Sequence, residues 1–248
     1  MRRGALLCLV LVTMVSACAG GTSDRRELLV SAAASLTDAF GDIESAFEDE
    51  HPDVDVVVNL GGSSALREQI LAGAPVDVFA SANVANMDKV IAGDLVESGP
   101  TAFATNQLQI AVPVDNPGGV VGLADFANPD LLIGLCAEAV PCGDFARQAL
   151  ELAAIEAVPD TNEPDVRALL TKIEVGELDA AIVYSTDVAA RPRLVVGIDI
   201  PAQFNVIAEY PIAVLNDGDH GIDGAAFVGF VLSAQGQAIL RQHGFSTP

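Results

Sequence analysis

Positive charge is what this sequence has least of: 12 lysines and arginines stand against 34 aspartates and glutamates, for a net charge of −22. A chain this acidic repels polyanions at long range, which argues against nucleic acid and anionic lipid surfaces as partners. Any small anion it holds must be held by short-range dipoles and hydrogen bonds, not by the overall field. Histidine is scarcer still, with three residues, His51, His220 and His243, none in a recognisable catalytic setting. No Gly-x-Ser-x-Gly elbow surrounds Ser63 or Ser64 either, so an exported serine hydrolase, the reading from a different functional class, lacks its base. Beyond the N-terminal segment, no apolar run is long enough to cross a bilayer.

The longest apolar run lies at the start. Arg2 and Arg3 precede Ala5 to Val15, the length of a secretory signal's apolar region and too short to span a membrane. Val15-Ser-Ala-Cys18 closes it with small residues. The pattern resembles a bacterial lipoprotein signal, which implies that Cys18 becomes the lipid-carrying first residue of the mature chain. Ala19 to Asp24 then serves as a tether, and residues 1–25 are set aside from the fold. Export removes Arg2 and Arg3 and takes the balance to 10 − 34 = −24. It also removes Cys8, so Cys136 and Cys142 remain, and in an oxidising compartment they are expected to pair. A zinc reading is weak, because no histidine lies near them.

The remaining roughly 230 residues suffice for one large or two small domains. Within them the stretch Asn59-Leu-Gly-Gly-Ser-Ser-Ala-Leu-Arg-Glu-Gln-Ile70 is the most informative. It follows Val54-Asp-Val-Val-Val58, a β-branched strand pattern, and runs into a helical pattern with Leu66, Ile70 and Leu71 on one face. Strand, paired glycines, paired serines and helix together present a helix N-terminus, whose first amides have no intrahelical acceptor and favour an anion. The plainer alternative makes Ser63 an ordinary N-cap. Arg67, one turn on, is expected to face solvent.

Leu28 to Val30, Val54 to Val58 and Val76 to Ala80 read as strands, each followed by a helix, which implies a parallel sheet covered on both faces. Ser35 with Asp38 forms a Ser-x-x-Asp helix-start pattern. Leu108 to Val112, Leu131 to Leu135 and Leu178 to Tyr184 are further strands. Pro141 and Pro164 sit near the starts of two helices, where proline is tolerated. Leu194 to Ile200 and Val206 to Leu215 read as two more strands, and two helices close the chain. Tyr210 reads as structural.

Several segments, in order, resemble the periplasmic molybdate-binding proteins that feed ABC importers. They are Ala32-Ala-Ala-Ser-Leu-Thr37, Gly62-Ser-Ser-Ala-Leu-Arg-Glu-Gln-Ile70, Gly73-Ala-Pro-Val-Asp-Val-Phe-Ala-Ser-Ala82, Val140-Pro-Cys-Gly143, Asp165-Val-Arg167, Ile182-Val-Tyr184 and the tail from Ser233 to Phe245. The resemblance implies an α/β, two-lobed periplasmic-binding-protein fold of type II, with a double crossover and a ligand cleft. Lobe one would be residues 27–105 and 208–248, and lobe two residues 106–207. It further implies a ligand set of Ser35 and Ser63 from the first lobe and Cys142, Val166 and Tyr184 from the second, holding molybdate or tungstate through hydroxyls and backbone amides. Cys142 stands where the family often has a small residue such as alanine. Expected with this are an ABC permease as partner, a monomer anchored outside the cytoplasm by lipid alone, and no catalytic residue, cofactor or direct metal coordination. The same scaffold tuned to sulfate or another tetrahedral oxyanion is the related alternative.

Overall fold

A computed structural model describes residues 25–216 and 220–248. The expected signal and tether, with Cys18, lie outside the described residues, as does the centre of the loop between Asn216 and His220.

Strand β1 (Arg26–Ala33) pairs in parallel with β2 (Val54–Gly61) on one side and β3 (Val78–Ala80) on the other. Helix α1 (Thr37–Glu50) connects β1 to β2, α2 (Ser63–Leu71) connects β2 to β3, and α3 (Val84–Ala92) follows β3. This is the parallel β-α-β alternation expected from the apolar pattern. Strand β9 (Ile207–Val214) adds antiparallel to β3. The second group of strands is built the same way. Its β5 (Ile133–Cys136) lies in parallel between β6 (Thr161–Glu163) and β7 (Ala180–Tyr184), with α4 (Pro141–Leu152), α5 (Val166–Glu174) and the short α6 (Ser185–Ala189) between and after them. The chain closes with α7 (Gly221–Leu232) and α8 (Ala234–Gln242).

The two groups are joined through β4 (Thr101–Pro113), a strand of 13 residues. Its first half, Thr101 to Gln107, pairs antiparallel with β9, while Leu108 to Ala111 pair with β7 and Gln109 to Pro113 with β8 (Val195–Asp199). The strand order is therefore β2-β1-β3-β9-β4-β7-β5-β6, with β8 branching from β4. The expectation of a strand over Leu108 to Val112 covers only part of β4. Thr101 to Gln107 mixes small, polar and aromatic residues, and its partner lies about a hundred residues away, so no local pattern marks it. Strand β6 was not expected at all, because Thr-Asn-Glu carries no apolar alternation.

Two helix starts differ from expectation. Asp165 is the N-cap of α5 and accepts from the amides of Arg167 and Ala168, both at 2.9 Å, so Pro164 precedes the cap instead of opening the helix. The Ser35 and Asp38 pattern is not used as a cap. Ser35 sits in a 3-10 turn, Ala34 to Leu36, and α1 begins at Thr37 without a side-chain cap. The reason is that the Ser35 hydroxyl is engaged elsewhere.

An ion network ties α1 to α5 and α6. Arg167 pairs with Asp38, and its Nη1 lies 3.6 Å from Asp187 Oδ1. Arg191 lies 3.6 Å from Asp38 and 3.0 Å from Glu174. Asp187 is fully buried, and its Oδ1 has no hydrogen-bond partner among the described residues, whereas Oδ2 accepts from the Tyr184 amide at 3.2 Å. Burial pushes the Asp187 carboxyl from 3.8 up to about 7, against the opposing pull of Arg167 and that amide. A carboxyl that holds its proton more tightly when folded favours the native state at low pH. That contribution fades as pH rises from the unfolded value through about 7. Asp187→Asn, which keeps an acceptor for the Tyr184 amide, should therefore gain in Tm over the parent as pH rises from about 5 to about 8. Thermal unfolding at both pH values checks this, and a pH-independent difference contradicts it.

Candidate ligand-binding site

The carboxyl ends of β1, β2, β3, β5, β6 and β7 all face one cavity, the place where open α/β sheets gather ligands. Ser35, Ser63, Cys142, Val166 and Tyr184 line it together, joined by Gly62, Ala82, Val140, Asp165 and other small or apolar neighbours. The enclosed space is tight, about 10 Å³ for the centre of a water-sized sphere, and about 200 Å³ in all when the open solvent at its mouth is included. All five side chains are buried.

Ser63 is the first residue of α2, and Gly62 before it is the N-cap. The plainer reading of Ser63 as a cap does not hold. Its Oγ accepts instead from the Ala82 amide at 3.0 Å, which leaves the hydroxyl proton free to be donated. Cys142 is the second residue of α4, behind Pro141, and forms a disulfide with Cys136 across a Cα–Cα distance of 5.8 Å. Closing so short a loop stabilises by roughly 2 kcal/mol through loop-closure entropy. Gly143 allows the helix to start this close to β5, because a Cβ there would lie 2.1 Å from the Ala137 carbonyl oxygen. Val166 is the first residue of α5, with its side chain in the core. Among the described residues, the backbone amides of Ser35, Ser63, Cys142 and Val166 donate to no protein acceptor. They are the orphan donors that every helix start creates.

Tyr184 ends β7, is 1% exposed, and its hydroxyl has no hydrogen-bond partner among the described residues. Burial, with Tyr210 and Asp187 nearby, pushes its phenol well above the usual tyrosine range, so it stays a neutral donor. A buried O–H without an acceptor costs about 1–3 kcal/mol, a cost that an anion in the cavity would lift.

No lysine or arginine lines the cavity among the described residues. Arg67 is not solvent-facing as expected. It is only 9% exposed and turns to Asn86 and Glu68, because α3 packs over it. Asp165 lines the cavity, but its Oδ1 is occupied by the two capping amides of α5.

Two functional contacts were not foreseen from sequence. Tyr210, read as structural, places its hydroxyl 2.9 Å from Ser35 Oγ. Gly62 meets the opposite side of the cavity: a Cβ on it would lie 2.5 Å from the Pro164 carbonyl oxygen and 3.5 Å from Val140. Its φ of −62° suits any residue, so glycine is required there by close approach alone. Neither contact leaves a local signature, since each joins residues about a hundred or more positions apart.

Residues 28–246 match the family of bacterial extracellular solute-binding proteins. The molybdate-binding protein ModA of Mycobacterium tuberculosis is 37% identical over 93% of this chain and 88% of that protein. A putative ABC transporter substrate-binding lipoprotein of Bacillus subtilis, YvgL, is 27% identical over 98% of this chain and 95% of its own length. Among solved structures, the sulfate-binding protein SubI of M. tuberculosis superposes with a TM-score of 0.78 at 18% identity, covering 90% of this chain and 87% of that one. The architecture is therefore the mixed α/β fold of periplasmic binding proteins, and the chain belongs to the bacterial extracellular solute-binding protein family.

Proposed function

We propose that this protein captures molybdate, or tungstate, which has the same charge and shape, and delivers it to an ABC permease. One observation carries the reading. Four unpartnered helix-start amides and the unpartnered Tyr184 hydroxyl converge on a cavity lined by no cation. Ser35, Ser63, Cys142, Val166 and Tyr184 supply the donors, Ser35 and Ser63 through both hydroxyl and amide. Each charge-assisted bond contributes roughly 1.5–3 kcal/mol, so six or seven together offset the desolvation of a dianion. Neutral donors suit a proton-free oxyanion. Hydrogen phosphate carries an O–H that these five residues, acting as donors, leave unpaired, at a cost of a few kcal/mol.

The two strand groups form the two lobes in this reading, residues 27–105 with 208–248 and residues 106–207. The lobes close over the anion where Gly62 meets Pro164, and the closed form is what the permease reads. The lipoprotein description of YvgL supports a lipid anchor at Cys18 on the outer face of the membrane. A serine hydrolase gains nothing from this geometry, because no histidine lines the cavity among the described residues.

Titration calorimetry of protein lacking residues 1–25 with molybdate, tungstate, sulfate and phosphate tests the assignment. Molybdate should bind at least about a hundredfold tighter than phosphate, a gap of about 2.7 kcal/mol. Tight sulfate binding with no molybdate heat overturns it. Closure has its own test in Gly62→Ala. This variant should keep its fold yet bind molybdate about tenfold or more weaker, chiefly through faster release measured by stopped flow. An unchanged affinity would show that the ligand is held without this contact.

A further inference from the structure

Tyr210 is fully buried and is held edge-on by three rings, Phe103 at 6.2 Å, Tyr184 at 6.1 Å and Phe245 at 5.5 Å between centroids. Its hydroxyl lies 2.9 Å from Ser35 Oγ and 3.5 Å from Asn106 Nδ2, with the Tyr184 hydroxyl also near it. The orientation of Asn106 is set by its other bonds. The Gln107 amide donates to its Oδ1 at 3.0 Å and the Ser185 hydroxyl at 3.1 Å, which leaves Nδ2 to donate to Thr186 Oγ1 at 2.8 Å and towards Tyr210.

Asn106 Nδ2 has only protons to offer, so the Tyr210 oxygen is an acceptor on that side. A buried O–H also needs somewhere to donate, and the Ser35 oxygen at 2.9 Å is the well-placed acceptor, since the Tyr184 hydroxyl is itself a donor aimed at the cavity. Ser35 Oγ then accepts from Tyr210 on the side away from the ligand, and its own proton turns into the cavity. Ser63 is wired alike by the Ala82 amide.

We propose that Tyr210, oriented by Asn106, is a specificity-determining residue that acts through Ser35, fixing that hydroxyl as a donor to the ligand. The inference rests on the oxyanion reading of the site and extends it to how the site rejects protonated anions. With the phenol hydroxyl gone, the Ser35 hydroxyl is free to rotate and can present a lone pair to a ligand O–H. Hydrogen phosphate then regains a partner, while molybdate and sulfate, which carry no proton near neutral pH, do not benefit.

The test is Tyr210→Phe, which keeps the ring packing and leaves Asn106 bonded to Thr186. Dissociation constants for molybdate, sulfate and phosphate are measured on parent and variant near neutral pH, phosphate by displacement of molybdate, with Tm as the fold control. The expected result is a rise of about tenfold or more in phosphate affinity relative to molybdate, while sulfate tracks molybdate. On a Ser35→Ala background the same substitution should no longer change that ratio, because the hydroxyl it acts through is absent. An equal loss for all three anions, or a ratio that still shifts without the Ser35 hydroxyl, overturns the proposal. Failure of the parent to bind molybdate overturns the oxyanion reading itself, and this inference with it.

Discussion

Each helix start leaves backbone amides that no residue of its own helix can satisfy. In this fold those of α2, α4 and α5, with the turn that carries Ser35, point at one place. The rest of the architecture follows from that constraint. Parallel strands from both groups bring their carboxyl ends to the same cavity, so α2, α4 and α5 start there. Glycine at 62 and 143 permits the backbone approach, and a proline opens α4 without adding an amide that would need a partner. A chain with so little positive charge has no need of a cation to hold an anion in such a place, because the partial charges are those of the backbone itself.

What surrounds the cavity is arranged to keep these donors unspent. Asp165 takes the second and third amides of α5 and leaves the first; the Ala82 amide occupies the Ser63 oxygen; Tyr210 engages Ser35 from behind. The network of Asp38, Arg167, Asp187 and Arg191 links α1, which follows Ser35, to α5, which begins with Val166. The two sides of the cavity are thus joined by ion pairs at the back and by the Gly62 to Pro164 approach at the ligand.

The β-α-β-α order and the Gly-Gly-Ser-Ser helix start were legible in the sequence, because apolar periodicity and turn residues are local signals. All five residues that the resemblance placed at a ligand line one cavity in the structure. The missed parts are those that depend on distant neighbours. The first half of β4 owes its form to β9, β6 owes its form to β5, and the role of Tyr210 owes to Ser35, 175 positions earlier in the chain. Residue type alone places Arg67 in solvent, and packing against α3 decides otherwise. Ser35 and Asp38 match a capping pattern that the fold does not use, since a bond to Tyr210 claims the serine first.

The central claim is that a dianion is held by neutral donors inside a strongly acidic protein, and the salt dependence of its affinity tests this most directly. Between about 0.01 and 1 M ionic strength the Debye length falls from roughly 30 to 3 Å, which weakens long-range attraction and repulsion alike. Bonds from buried amides and hydroxyls are little affected, whereas repulsion from the protein's net charge is screened. Molybdate affinity should therefore stay level or strengthen modestly as an inert salt is added. A tenfold or greater loss of affinity over that range would mean that exposed cations hold the anion, and would contradict the account.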